Sequence, residues 1–213
     1  ELGQNLQLFQ TTPKTVANEV EAVASGIFHT LILKEDGSLW TTGSNFYGQL
    51  GDGTFKDRST PVMVESGGVR SIAACGYHSL YVKDDGSLWG MGFNGNGRLG
   101  DGTTTTRKTP VEILGSGVVR ASAGGAHSLF VKSDGSLWAM GHNGRGRLGD
   151  GTYTHRSNPV MIVDANVTSI SASYNYFGLF LKNDGSLWGM GGNNKGNLGD
   201  GTTAERKTPV MIV

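Results

Sequence analysis

The pentapeptide Asp-Gly-Ser-Leu-Trp occurs four times, ending at Trp40, Trp89, Trp138 and Trp188, and these are all the tryptophans of the chain. Steps of 49, 49 and 50 residues between them mean that one unit is written four times. A second string, Leu-Gly-Asp-Gly-Thr, keeps the same step at residues 50–54, 99–103, 148–152 and 198–202, as do Pro61, Pro110, Pro159 and Pro209. A unit of this length cannot bury its own apolar surface, and a period of roughly 20–50 residues belongs to solenoids, propellers and arrays whose neighbours stack. Residues 1–213 are therefore read as one array, with repeats at about 13–60, 61–109, 110–158 and 159–208, and not as unlike domains.

The second copy shows the grammar of the unit. Pro61–Val64, Val69–Ala74, His78–Lys83 and Ser87–Met91 are short apolar or alternating runs separated by turn residues. They predict four antiparallel strands in a meander that the proline run opens. Between the last two runs, Asp85-Gly86 has the composition of a tight hairpin with a left-handed glycine. The 35 glycines of the chain recur in phase and read as turn positions rather than as a flexible tract. On the fourth run, Trp89 and Met91 face one side and Leu88 and Gly90 the other. A small sheet with two packing faces is a propeller blade, so the expected fold is all-β: a β-propeller of four-stranded antiparallel blades. Burying each indole contributes on the order of 2–3 kcal/mol, which assigns Trp40, Trp89, Trp138 and Trp188 to packing between blades.

The segment after the tryptophan run repeats as Asn-x-x-Gly-x-Leu-Gly-Asp-Gly-Thr-x-x-x-Arg. Asp and Thr there suit Asx and hydroxyl turns, and the Arg six residues on suggests four bracing pairs: Asp52–Arg58, Asp101–Arg107, Asp150–Arg156 and Asp200–Arg206. A calcium loop needs more oxygen ligands than one Asp per copy supplies, so no metal is expected. His29, His78 and His127 recur in phase, but the fourth copy has Phe177, which favours packing or bonding to the backbone over acid–base chemistry. No Ser, His and Asp set rises above the repeated framework, so neither an enzyme nor a cofactor is expected. Cys75, the one cysteine, excludes an internal disulfide and reads as a packed thiol. A net charge of zero with 17% charged residues gives no basic face for nucleic acid. No apolar run approaches the roughly 18 residues of a membrane span.

The string His-Ser-Leu-x-Val-Lys-x-Asp-Gly-Ser-Leu-Trp-x-Met-Gly-x-Asn-x-x-Gly-x-Leu-Gly-Asp-Gly-Thr, at residues 78–103 and 127–152, closely resembles the regulator of chromosome condensation repeat. The resemblance covers nearly the whole chain. It implies a β-propeller, seven-bladed in well-known members, that serves as a protein-binding scaffold. One eukaryotic branch exchanges guanine nucleotide on a small GTPase, and a bacterial branch resembles an inhibitor that lays one face over a β-lactamase. Four clear repeats stand here instead of seven, and the sequence carries no added insertion to press into a GTPase. Exchange activity is thus the weaker implication. The uniform spelling of the copies resembles bacterial repeat proteins, which implies secretion or attachment at the cell surface.

Leu2-Gly3 and Pro13 stand in phase with Leu50-Gly51 and Pro61, so residues 1–19 read as the tail of an earlier repeat. Residues 209–213 read as an extra first strand. The expectation is part of a larger ring, or a ring that a second copy of the chain completes by lending its surplus strand.

Connections of a meander emerge alternately at its two ends, so the connection before each His run shares a face with the long Asn-x-x-Gly loop. Residues there that escape the repeat are Phe28, Phe46, Tyr47, Phe55, Tyr77, Phe93, Asn96, Arg145, Tyr153, His155, Tyr176 and Lys195. Aromatics with scattered Arg and Asn are typical anchors of a protein interface, and these twelve form the expected partner-binding set. A carbohydrate-binding module is the alternative, because rim aromatics and amides also stack on and hydrogen-bond sugars. The opposite face, with Glu65–Gly68 and the Asp-Gly turns, is small and polar.

Overall fold

The computed structural model describes residues 15–212. The first sheet contains β1 (Val20–Ser25), β2 (His29–Lys34), β3 (Leu39–Gly43) and β4 (Arg58–Glu65). The second contains β5 (Val69–Cys75), β6 (His78–Lys83), β7 (Leu88–Gly92) and β8 (Arg107–Leu114). The third contains β9 (Val118–Ala123), β10 (His127–Lys132), β11 (Leu137–Gly141) and β12 (Arg156–Val163), and the fourth β13 (Val167–Ala172), β14 (Phe177–Lys182), β15 (Leu187–Gly191) and β16 (Arg206–Met211). Each sheet is an antiparallel meander in sequence order. The architecture is the all-β stack of propeller blades that the pattern predicts. The first strands of successive sheets pack side by side and line an inner cleft of about 560 Å³ with Arg70, Ser71, Ile72, Arg120, Ala121 and Ser122.

One expectation needs correcting. The proline run closes a sheet instead of opening one: Val62 pairs with Thr41 of the preceding strand, and Val210 pairs with Gly189. The strand at the C-terminal end is therefore the fourth of its own sheet and not a surplus first strand, so strand exchange between two copies loses its basis. The physical reason is the loop. Its Asp–Arg pair folds the long segment back on the strand it has just left, whereas the short Ser66–Gly68 turn is what carries the chain to the next sheet. The in-phase reading of Leu2, Gly3 and Pro13 lies outside the described residues, as does Val213.

Packing between sheets is apolar and alternates. Leu80, Val82, Leu88 and Leu99 on one face of the second sheet meet Val118, Ala123, Phe130 and Met140 of the third, all with at most 6% exposure. The third and fourth sheets repeat the arrangement with Leu129, Val131, Leu137 and Leu148 against Val167, Phe180 and Met190. The tryptophans take part less centrally than their size suggested. Trp89, Trp138 and Trp188 pack at the margins of these clusters, half-buried. The fully buried rings are their cross-strand neighbours Tyr81, Phe130 and Phe180, whose centroids lie 6.3, 6.2 and 6.1 Å away in near-parallel stacks. An indole carries an N–H that must keep a partner, which draws it to the edge. Each Nε1 donates to the serine two residues earlier, as Trp89 does to Ser87 at 2.9 Å, and Lys83, Lys132 and Lys182 each place an ammonium 4.6 Å above a ring. On the outer face of the fourth sheet, Leu179, Leu181 and Leu187 occupy the positions of Leu129, Val131 and Leu137, and Leu181 is 40% exposed.

A polar bridge crosses the first two interfaces. His29 lies 2.9 Å from Ser79 of the next sheet, and Ser79 donates its hydroxyl proton to the Gln49 carbonyl at 2.8 Å. With that proton committed, the hydroxyl can only accept, so His29 is the Nε2–H tautomer. His78, Ser128 and the Arg98 carbonyl repeat the bridge at 2.8 and 2.8 Å. The imidazoles thus bond across sheets and not to local backbone. At the third interface the serine is replaced by Gly178, and both ring nitrogens of His127 are buried without a partner. Burial holds the pKa of His29 at about 4, and burial with the Arg147 and Arg98 charges holds that of His127 at about 3. A Cβ on Gly178 would stand 3.1 Å from Leu129 Cδ1 and 3.2 Å from Met190 Cε, both flexible chain ends. Gly178→Ser is expected to complete the third bridge and stabilise the fold by about 1 kcal/mol, raising Tm by a few degrees on thermal melting. An unchanged or lower Tm would show that His127 gains nothing from a hydroxyl.

Candidate functional site

The functional candidate is the end of the stack where the first-to-second and third-to-fourth strand connections of each sheet emerge together. Its scaffold is the repeated loop, and the residue at its centre is the asparagine. Asn94 Nδ2 donates to Asp101 Oδ1 at 2.8 Å and to the Thr103 carbonyl at 3.1 Å, while its Oδ1 accepts the Leu99 N–H at 2.9 Å. Asn45, Asn143 and Asn193 make the same bonds. The four predicted ion pairs close at 2.6 to 2.7 Å: Asp52–Arg58, Asp101–Arg107, Asp150–Arg156 and Asp200–Arg206. Burial by itself would raise the Asp101 carboxyl, but hydrogen bonds from Thr103, Arg107 and Asn94 outweigh it and hold the group below the usual carboxylate range.

The glycines of the loop serve the neighbouring sheet as much as the turn. Gly97 has φ 76°, and a Cβ there would come within 2.4 Å of Ser157 Cα on β12 of the next sheet. Gly100, at φ 80°, lies under the Met140 sulfur at 2.7 Å from where its Cβ would be. The first three loops, at Gly48, Gly97 and Gly146, are thereby clamped on the outer strand of the following blade, and their tips have a fixed place on the face.

On that fixed base the non-repeating residues fall into two groups. Over the first two sheets, Tyr47 is the hub of a ring cluster: Phe46 at 4.9 Å edge-on, Tyr77 at 5.1 Å and Phe93 at 4.8 Å between centroids. Phe46 is 72% exposed, and Phe55 stands under the Lys108 ammonium at 5.8 Å. Over the third and fourth sheets, Arg145 lies 5.1 Å above the Tyr176 ring and pairs with Glu205 at 2.9 Å, and His155 stacks on His142 at 4.3 Å. Asn96 and Lys195 are exposed at loop tips, with Asn96 in the left-handed region. Phe28 and Tyr153 are exposed on this face but outside both ring groups.

Three side chains on this face escaped the sequence reading. Arg98 and Arg147 are buried, stack at 4.5 Å on Phe93 and 4.6 Å on Tyr176, and donate to the Gly125 and Asn175 carbonyls of the next sheet. The third, His142, accepts the Gly144 N–H through Nδ1. Aligning the copies would have revealed the arginines, because their slot reads Gln49, Arg98, Arg147 and Asn197 inside an otherwise fixed string.

The family model described as Regulator of chromosome condensation (RCC1) repeat matches residues 36–82 and 85–131. A second model of the same description matches residues 20–49, 69–98, 118–147 and 167–197, once per sheet. The chain belongs to the RCC1 repeat family. This RCC1-repeat chain superposes on human WBSCR16 with a TM-score of 0.81 at 27% identity, over 91% of its own length and 53% of that protein's. It is also similar to Prp20p from Saccharomyces cerevisiae, with a TM-score of 0.76 at 21% identity over 93% and 52% of the two chains. That structure's description concerns binding to Gsp1p and histones, and another shows Kap60 bound to yeast RCC1 (Prp20). A 68-residue stretch is 43% identical to the E3 ubiquitin-protein ligase highwire of Drosophila melanogaster, covering 32% of this chain and 1% of that protein. The chain thus spans about half the length of the solved propellers it matches.

The loop bracing has a direct test. Asp101→Asn leaves the half-exposed Arg107 without its carboxylate and is expected to cost about 2 kcal/mol at pH 7. A carboxyl whose folded pKa is depressed contributes stability above its unfolded pKa of about 4 and loses it as pH falls through the folded value. The stability gap between wild type and Asp101→Asn, measured by urea unfolding, should therefore hold at pH 7 and shrink below about pH 4. A gap that is absent at pH 7 would contradict the bracing role.

Proposed function

We propose that this chain is a non-catalytic propeller scaffold that binds a protein partner through its loop-bearing face. The observation that carries the reading is the cluster of Phe46, Tyr47, Tyr77 and Phe93. Four aromatic side chains meet there at positions the repeat does not specify, on loops clamped by Asn, Gly and Asp–Arg contacts that it does. Rigid aromatic anchors on a fixed base lose little entropy on binding, which is how hot spots are built. The partners named for Prp20 are proteins, which agrees in kind and names none for this chain. Rings packed edge-to-face on one another favour a protein over a sugar, which stacks on an isolated flat ring. Nucleotide exchange has no comparable support: the four long loops are of equal length, and none is extended into a wedge.

Photo-crosslinking from this face in an extract of the native host tests the reading. Wild-type protein should yield a discrete protein adduct, and Tyr47→Ala should reduce it at least about tenfold, a typical hot-spot effect. Asp85→Asn, on the opposite face, should leave it intact. An adduct insensitive to Tyr47→Ala would contradict the assignment of the face, and selective binding on a glycan array would favour the carbohydrate-binding alternative.

A further inference from the structure

The half of the face over the third and fourth sheets differs chemically from the aromatic half. Arg98 and Arg147 are 5% and 2% exposed, yet among the described residues neither pairs with a carboxylate; their partners are carbonyl oxygens and ring faces. The carboxylates of their own loops are already committed, Asp101 to Arg107 and Asp150 to Arg156. The fold does not demand these charges, since the same slot holds the neutral amides of Gln49 and Asn197. A buried guanidinium with no counter-ion is costly, and its field reaches the surface above it with little screening.

The neighbouring groups add further hydrogen-bond donors, and Arg145 and Lys195 supply the charge among them. His142 and His155 stack at 4.3 Å, and each uses Nδ1 to accept a backbone N–H, from Gly144 at 3.1 Å and Asn143 at 3.0 Å. The remaining Nε2 of each is then the protonated nitrogen, so both rings are left with donors only. The slot of His155 is Asp57 in the first copy, where Asp57 Oδ1 accepts the Asn45 N–H at 2.7 Å, so here an imidazole replaces a carboxylate. Arg145 and Lys195 occupy one in-phase position at the loop tips of the third and fourth copies. The carboxylates of the third and fourth loops are engaged within the face, Asp150 by Arg156, Asp200 by Arg206 and Glu205 by Arg145 at 2.9 Å. The hairpin carboxylates Asp36, Asp85, Asp134 and Asp184 all lie at the opposite end of the stack, each accepting a serine N–H. Those carboxylates stand beside Lys34, Lys83, Lys132 and Lys182, whereas Arg98 and Arg147 have no such partner among the described residues.

Resting on the scaffold reading above, we propose that the sector formed by Arg98, His142, Arg145, Arg147, His155 and Lys195 binds an acidic segment of the protein partner, with carboxylates accepting from His142, Arg145, His155 and Lys195 beside the aromatic anchors while the buried Arg98 and Arg147 add positive charge from below. A peptide fits better than nucleic acid. The cations are few, two of them are buried, and they sit among flat rings instead of forming the Lys/Arg stripe that tracks a phosphate backbone.

Fluorescence anisotropy with labelled decaglutamate, and decaglutamine as reference, tests this on the full chain. Wild type should bind decaglutamate but not decaglutamine, and more weakly as salt rises from 50 to 200 mM. The surface pair Arg145→Gln with Lys195→Gln should weaken binding at least tenfold. Arg98→Gln and Arg147→Gln, which install the amide of the first copy, should do the same; if either unfolds, the surface pair decides. The proposal is overturned by absence of decaglutamate binding at 50 mM salt, by equal binding of decaglutamine, by binding that the surface pair leaves unchanged, or by tighter binding of single-stranded DNA of equal charge. Crosslinking that stays sensitive to Tyr47→Ala while decaglutamate is ignored would remove this proposal and leave the scaffold reading standing.

Discussion

Apolar contact from one sheet to the next is the interaction on which everything else in this molecule rests. Leu80, Val82 and Leu88 lie side by side on one face of their sheet, and they become a closed core only when Phe130 and Met140 of the following sheet cover them. A single four-stranded meander with both faces bare is not independently stable in water, so each blade is conditional on its neighbour. The in-phase polar bridges from His29 to Ser79 and from His78 to Ser128 add direction to this contact, because a shift in register would leave a buried imidazole without its hydroxyl.

The same dependence places the functional face. Gly48, Gly97 and Gly146 let each loop touch the outer strand of the next sheet, at Lys108, Ser157 and Lys207, at distances where any side chain would collide with backbone. The asparagine and the Asp–Arg pair then fix the loop from within. Residues between these constraints are free to vary, and there the chain carries rings over two sheets and cationic groups over the other two. The contacts that hold the loop and most of the residues proposed for recognition lie at different positions of the same fourteen-letter string.

How much of this was legible in the sequence follows from what repeats. Strand content, the two-faced sheet and the Asp–Arg bracing could be read because every copy needs them, and Trp89 with Met91 on one side of the sheet is plain alternation. The sheet boundary could not be read, because a period has no intrinsic starting point; only pairing of Val62 with Thr41 shows that the proline strand belongs to the sheet before it. Tyr81, Phe130 and Phe180 were overlooked beside the tryptophans because the first copy has Ile32 in their slot and so blurs the signature. On the face, exposed aromatics were recognisable as departures from the repeat, but Arg98 and Arg147 were hidden within a conservatively spelled string. Their environment depends on carbonyls of the next sheet, which no local pattern reveals.

Hydrogen exchange on Phe130→Ala measures the mutual dependence of blades most directly. Truncating this ring removes the plug between the second and third sheets at a cost of about 3–5 kcal/mol. Protection should fall together in β6 and β7 of the second sheet and in β10 and β11 of the third, with the loop from Asn94 to Thr103 loosened alongside. Loss confined to the third sheet, with the second as protected as in wild type, would mean that the blades are stable one by one, contrary to the structure described here.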